Sequence, residues 1–375
     1  MSRKTAIVIG AGIVGLATAR ALSEKGFQVE VFDRSSFAVG ASIRNFGMVW
    51  PVGQPSGKLY QRAINSRNIW KAISEEGAFW HDPVGSLHLV YEQDEWQVLQ
   101  ELYEVFKLER PVSLLNPTEV AKISPCAITQ NLKGALYSKD EVIVDPRKAI
   151  GALPAYLQEK YGVVFHWNTA IVAASLNTIE TGNGEKFHAD LILICSGADF
   201  ETLFASEYAK LPITKCKLQM MRLHQPIEPI KIGPALCGAL SLAHYKSFEA
   251  APSLMYLKHR FQAQFPEYMK WGIHVMVSQN EELVLTVGDT HEYGLTFDPF
   301  DRSFLNEMVT DYLKSFASFP NAQVIETWNG IYPKMKNGAT EIHFEVEPGI
   351  HVINGLGGAG MTLSFGLAEE VVASL

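Results

Sequence analysis

Apolar residues alternate between short unbroken runs and longer stretches of helical spacing, and their order outlines an architecture. Thr5 to Ile9 is a β-branched run ending at Gly10, the pattern of a strand buried on both faces of a parallel sheet. From Ile13 to Lys25 the spacing turns helical, with Val14, Ala17, Ala21 and Leu22 on one face and Gly26 as the stop. Val29 to Phe32 is a second short strand, and the three pieces make a βαβ unit. A loop of small residues runs from Ser35 to Gly57, followed by a helix over Leu59 to Ile73. Further on, Leu87 to Tyr91 reads as a strand, Trp96 to Phe106 and Lys148 to Tyr161 as helices, and Val163 to His166 and Leu191 to Cys195 as strands. From Leu211 to about Val324 the runs suit antiparallel strands, such as Ile273 to Ser278 and Leu283 to Gly288 about the turn Gln279 to Glu282. The last stretch, Gly349 to Leu375, returns to strand, Gly-rich turn and helix. The predicted fold is α/β: a discontinuous Rossmann-like nucleotide-binding domain over residues 1–82, 135–210 and 325–375. Residues 83–134 and 211–324 form an inserted, mostly antiparallel β (α+β) substrate domain.

Composition sharpens this. A chain of 375 residues, 47% hydrophobic and 19% charged, is long enough for two packed domains and has no low-complexity stretch. A net charge of −8 excludes a nucleic-acid binder, which needs a basic surface. Cys126, Cys195, Cys216 and Cys237 lie far apart with no metal-ligand spacing, so reduced thiols and a cytoplasmic location are expected, with no metal. The apolar start passes straight into a glycine motif and reads as a first strand rather than a signal peptide, and no apolar run is long enough for a membrane span.

Three glycine-rich segments carry the candidate chemistry. Gly10-Ala11-Gly12-Ile13-Val14-Gly15 follows a strand and opens a helix, so its backbone can approach a pyrophosphate at a helix N-terminus. Asp33 ends the next strand, where a carboxylate can accept hydrogen bonds from a ribose, with Arg34 beside it. This motif alone does not separate FAD from NAD. Gly40 to Gly47 supplies small residues for close approach to a cofactor, together with Ser42, Arg44 and Asn45. Asn354 to Thr362, with Gly357, Gly358 and Gly360, again sets a Gly cluster before an apolar helix, which favours an anion or an electron-rich ring edge.

The order of these motifs, with Val144-Asp145-Pro146-Arg147 and Cys195-Ser196-Gly197-Ala198 between them, resembles the D-amino-acid oxidase superfamily of flavoproteins, which includes glycine oxidase and sarcosine oxidase. The resemblance spans essentially the whole chain. It implies FAD, with Gly10, Gly12, Ile13, Val14, Gly15, Asp33 and Arg34 at the ADP half. It also implies Ala41, Ser42, Arg44, Asn45, Phe46, Gly47, Gly330, Gly357, Gly358, Gly360, Met361 and Thr362 beside the flavin, and Ser196, Gly197 and the backbone near Val164 along the dinucleotide. The chain departs from the family in three places. The stretch Trp328 to Pro333 has no cysteine for a covalent flavin link, so FAD is expected to be non-covalent. Thr362 stands where sarcosine oxidases carry a lysine, and Tyr332 or Lys334 where D-amino-acid oxidases carry a carboxylate-binding arginine.

The loop SIRNFGMVWPVGQP also resembles a narrower group associated with aminophosphonate breakdown. The expected activity is therefore oxidation of a CH–NH bond in a small anionic amine or amino acid by hydride transfer to flavin, with 2-aminoethylphosphonate or an N-methyl or hydroxy relative among the candidates. Dioxygen or another acceptor would take the electrons. Tyr332, His244 and His274, with His291, are candidates to orient or deprotonate the amine, and Met48, Arg44, Tyr332 and Lys334 to bind substrate. Lys215, Lys217 and Arg222 are further sources of positive charge. Two alternatives stay open, an NAD(P)-dependent dehydrogenase and a non-catalytic FAD-binding subunit of a larger complex, and so does homo-oligomerisation.

Overall fold

The computed structural model describes residues 4–375. A six-stranded sheet runs in the order Ile342–Glu347, Ile350–Asn354, Leu191–Ile194, Thr5–Ile9, Gln28–Phe32, Val164–His166. All its neighbours pair parallel except the first two, so an antiparallel edge strand closes one side. One face packs on the helices Ile13–Glu24, Pro146–Tyr161 and Gly360–Ser374 through Leu16, Leu22, Leu153, Leu193 and Leu363. The other face is covered by the small sheet Ile171–Ser175, Thr178–Thr181, Lys186–His188. Helix Lys58–Glu75 docks on the last helix, where the buried Arg62 clasps Glu370 through Nε and Nη2 at 2.9 and 2.8 Å.

A nine-stranded mixed sheet forms the second layer, and its spine is the strand Ile213–His224. That strand pairs along its whole length with Gln323–Met335 on one edge, and with Leu285–Gly288 and Glu292–Gly294 on the other. Gly134–Ser138 also belongs to this sheet, pairing with Ser86–Val90 and Val112–Leu115. The structure thus puts 135–138 and 325–335 in the large sheet, where the sequence expectation had both in the nucleotide-side domain. In the second case the reason is the long register with 213–224, which apolar patterning within 323–335 does not reveal.

The region 211–324 also holds more helix than its strand-like runs predict: Leu254–Gln264, Pro266–Lys270 and Ser303–Phe316. In the last of these, Leu305, Val309, Leu313 and Phe316 form a buried stripe at helical spacing. The Val144–Arg147 segment ties the layers together. Asp145 caps helix Pro146–Tyr161 through the Arg147 N–H at 2.9 Å, and accepts from Arg222 Nη2 (3.2 Å) and Asn280 Nδ2 (2.9 Å) of the large sheet. Among the described residues no helix is long and apolar enough to cross a membrane. All four cysteines are unpaired and buried.

Candidate active site

Between the two layers lies a cavity of about 1320 Å³. One end is made by backbone. Gly10 turns the chain at φ +104°, and a side chain there would collide with the Cys195 carbonyl. A side chain on Gly15 would collide with the Gly10 carbonyl, so these two positions set how closely helix and strands approach. Gly12 faces the cavity itself: a Cβ would meet Ser42 Oγ at 3.1 Å and nothing else within 4 Å. Ser42 Oγ accepts the Ile13 N–H at 2.9 Å, and no side chain of the N-cap Gly12 covers the helix start. Asp33 accepts the Ala11 and Ser35 N–H groups at 2.8 Å each, which leaves about half of its lone-pair positions open. Ser196 Oγ is buried on the cavity wall without a hydrogen-bond partner. A turn open to a phosphate, an acid beside it and an orphaned hydroxyl fit the ADP half of a dinucleotide.

The middle is shaped by two loops. Asn45 spends its side chain on the first, donating to the Ala41 and Ser42 carbonyls at 3.0 and 2.9 Å and accepting the Gly47 N–H at 2.8 Å. Arg44 Nη1 donates to the Asn329 carbonyl at 2.9 Å and its stem lies against Gly330. In the C-terminal turn, Thr362 Oγ1 accepts the Trp50 N–H at 2.9 Å and the Met361 carbonyl accepts from Trp70 Nε1 at 2.8 Å. Lys334 forms a bridge pair with Leu356, which brings the long strand's end to this turn.

The far wall is made largely of side chains on the loops that flank the strands of the large sheet. His244 and His274 stack at 3.7 Å between ring centroids with planes 4° apart, and His291 lies 4.8 and 5.2 Å from them. A metal ion must lie near the plane of each imidazole that binds it. Two parallel stacked rings share no such point, so these three histidines are not arranged as a ligand set. Burial pulls His274 and His291 down to about 4 and His244 well below its usual value, so all three are neutral at pH 7. His244 is exposed, with its ring open to the cavity. Burial also keeps the Tyr332 phenol protonated, with its Oη 3.6 Å from where a side chain on Gly358 would begin. Lys334 Nζ donates to Tyr293 Oη at 3.2 Å.

Every residue named as a cofactor, catalytic or substrate candidate lines this cavity except Gly15, Gly47 and Val164, while Val144 to Arg147 and Arg222, which is tied to Asp145, lie outside it. Gly15 acts in helix–strand packing. Gly47, at φ +71°, packs on the Val144 carbonyl. Val164 sits half-exposed on the edge strand beside Glu30, and Thr169 to Val172 reach the cavity in its place. Arg34 lies at the rim, 65% exposed and paired with Asp199 at 2.7 Å. Sequence reasoning missed Asp289, Trp50, Met220 and Met276, all on the wall. For Asp289 a signal existed, since an acid directly after an apolar strand and two residues before a histidine is an unusual cluster.

The fold and cavity define a dinucleotide-binding α/β protein whose second sheet walls the end of the cavity away from the glycine turn. A family model described as FAD dependent oxidoreductase matches residues 5–374, and the chain belongs to that family. Among curated proteins it is similar to glycine oxidase of Geobacillus kaustophilus, 24% identical over 236 residues that cover 59% of this chain and 61% of that protein. It is also similar to D-amino acid dehydrogenase of Neisseria meningitidis, 25% identical over 275 residues, 56% of this chain and 65% of that one. These matches span less than two-thirds of the relatives' lengths. The crystal structure of the Geobacillus kaustophilus glycine oxidase matches with TM-score 0.80 at 21% identity, covering 100% of this chain and 95% of the other. Iminodiacetate oxidase from Chelativorans sp. BNC1 matches with TM-score 0.75 at 20% identity, covering 98% and 94%. At those identities the likeness is one of fold.

Proposed function

We propose that this chain oxidises the CH–NH bond of a small anionic amine or amino acid, using non-covalent FAD. One observation carries the reading: a single cavity runs from the Gly12 turn to the wall of Tyr332, Lys334 and the three histidines. When bound, FAD supplies the two-electron acceptor for the amine's C–H. The chain's own groups do the rest. The backbone at Gly12 and Ile13, with Ser42, would hold the pyrophosphate, and Asp33 the ribose. The turn Gly357 to Thr362 would border the ring. Ile331 stands where a covalent link would need a cysteine, and Cys195, which lines the cavity, is a neutral thiol pushed up to about 12 by burial. Met48, Trp50, Met220 and Met276 exclude water around the reacting carbon. Lys334, with Arg44 behind it, supplies positive charge for a carboxylate or phosphonate in a chain of net charge −8. The buried phenol of Tyr332 can donate to the same anion.

The test is anaerobic bleaching of the purified holoprotein by a panel: glycine, sarcosine, D-amino acids, 2-aminoethylphosphonate, and its N-methyl and hydroxy forms. At least one amine should bleach the flavin, and air or an added dye should restore the colour, which separates oxidase from dehydrogenase. Acid should release all the flavin as FAD. A flavin that no amine reduces overturns the reading, and flavin that stays with the precipitate overturns the non-covalent part.

A further inference from the structure

Asp289 lies on the link between strands Leu285–Gly288 and Glu292–Gly294, facing the cavity. It is only 5% exposed, yet its Oδ1 has no hydrogen-bond partner. A carboxylate buried this far requires a cation or a full set of donors. The nearest ionisable nitrogens are His274 Nδ1, 3.1 Å from Oδ1, and His291 Nε2, 3.7 Å from Oδ2. Neither ring is a cation at pH 7. His291 Nδ1 lies 2.9 Å from the Gly272 carbonyl, so its proton sits there and its Nε2 turns a lone pair toward the carboxylate. His274 Nδ1 is drawn to the same carbonyl at 3.2 Å. Among the described residues no lysine or arginine forms an ion pair with Asp289.

We propose that Asp289 is the receptor of the substrate's ammonium group and the acceptor of its proton, an inference that rests on the amine-oxidation reading. The ammonium enters as the counter-charge that the buried carboxylate lacks. One N–H bond then breaks and one O–H bond forms, R–NH3⁺ and carboxylate becoming R–NH2 and carboxylic acid with no change in electron count. The neutral amine has the lone pair that C–H oxidation needs. Lys334 draws the anionic end of the same molecule to the turn at Gly357.

The surroundings suit a proton acceptor working near neutrality. Burial raises the Asp289 carboxyl to about 6. Cys216 faces it from strand Ile213–His224, Tyr332 from Gln323–Met335 and Tyr293 from Glu292–Gly294, with Tyr245 beyond. Burial keeps all four protonated. His244, His274 and His291 are neutral, and Lys334 adds positive charge from the long strand.

The experiment is the pH dependence of anaerobic bleaching, from pH 5 to 10, for the holoprotein and for Asp289→Asn, with whichever amine of the panel bleaches the parent. The parent's rate should fall as pH drops through the carboxyl's range near 6. The variant should be roughly a hundredfold slower at pH 7 and converge on the parent as pH nears the amine's own pKa, where free amine binds already deprotonated. A role in packing alone would not be rescued by pH. If the variant matches the parent's rate and profile, Asp289 is not the acceptor while the oxidation reading stands. If no amine bleaches the parent, that reading falls and this one with it. If the variant retains no FAD, the parent's profile decides, and a rate that stays flat from pH 8 to 5 overturns the proposal.

Discussion

At the end of the cavity built by Gly10 to Val14, Asp33 and Ser42, most polar groups already have a local partner. At the end built by Asp289, His244, His274 and His291, titratable side chains crowd one another and the buried Asp289 Oδ1 has no hydrogen-bond partner. The first end is made by chain direction and the absence of side chains, so it is preformed for a ligand whose charge is spread over phosphates. The second is made by side chains from loops flanking the large sheet and from its strand Gln323–Met335, and its charges suit a ligand positive near Asp289 and negative near Lys334. On the proposed reading, the cofactor end is largely formed by backbone before its ligand arrives, whereas the far wall is completed by the substrate.

The sharpest way to break this contrast is Gly12→Val. If the phosphate end is a space defined by a missing side chain, filling it should abolish FAD retention, a loss of roughly a hundredfold or more in affinity, about 3 kcal/mol. The fold should survive, because a Cβ at Gly12 meets only Ser42 Oγ. Flavin absorbance of the purified variant, with its far-ultraviolet circular dichroism as control, measures both. Normal flavin content would remove the assignment of this end to the ADP half.

Lys334→Ala probes the other end. Lys334 faces the cavity, and its removal should cost about 1.5–3 kcal/mol of substrate binding, roughly a ten- to hundredfold drop in kcat/KM, with flavin content unchanged. Arg44→Ala should act differently, because Arg44 is tied to the Asn329 carbonyl and packs on Gly330. Its loss should loosen the loop around the cofactor and lower flavin retention more than substrate affinity. Kinetics of both variants alongside their flavin content tests the division. Equal losses in both quantities for both variants would show that the two residues share one role.

How much of this was legible in the sequence follows from the same contrast. The phosphate end lies within one βαβ unit, so the spacing of Gly10, Gly12, Gly15 and Asp33 carries its geometry directly. The C-terminal turn was legible because its glycines sit between a strand and a helix that are both strongly patterned. The far wall was only half legible. His244, His274 and His291 could be named as candidates, but nothing local says that they stack together, since that depends on which strands pair. The local signal at Asp289, an acid after an apolar strand, does not by itself say that it faces this wall. Pairing of Ile213–His224 with strands on both edges brings it opposite Tyr332 across more than forty residues of chain. Val164 shows the converse. A family analogy pointed to the edge strand, while the loop after it, Thr169 to Val172, reaches the cavity.

The loops between the two ends give a smaller effect, on stability. Thr362 is buried, and its hydroxyl accepts the Trp50 N–H at 2.9 Å, tying the C-terminal turn to the wall of the cavity. Thr362→Val keeps the shape and leaves that N–H unpaired, which should cost about 1–3 kcal/mol. Thermal unfolding should show a lower Tm with flavin bound. An unchanged Tm would mean that the amide finds another acceptor and that the turn is held by the Met361–Trp70 bond alone.

The smallest expected effect is His88→Leu, which asks whether every unfinished polar group near the substrate wall serves function. His88 is 1% exposed, neither ring nitrogen has a partner, and its ring packs against Phe248 at 5.1 Å and the cavity residue Trp50 at 5.9 Å. Unlike Asp289 it does not line the cavity, so no ligand can complete it. Replacing an unsatisfied buried imidazole by an apolar side chain of similar size should therefore be neutral or stabilising, by about 1 kcal/mol and about 1–2 °C in Tm at pH 7. The sign with pH is also fixed. Burial lowers His88 to about 3, below its unfolded value near 6.5, so between those limits the unfolded chain binds the extra proton and His88 itself lowers the parent's stability as pH falls. Leucine removes that share of the loss, so the variant's advantage should widen from pH 7 to pH 5. The remaining slope sums opposite contributions, since His274 and His291 are lowered in the same sense while the raised carboxyls of Glu141 and Asp289 add stability as pH falls. Thermal unfolding of both proteins at the two pH values measures it. A clearly lower Tm for the variant at pH 7 would show that His88 holds a partner, such as an internal water, that stabilises the floor under Trp50.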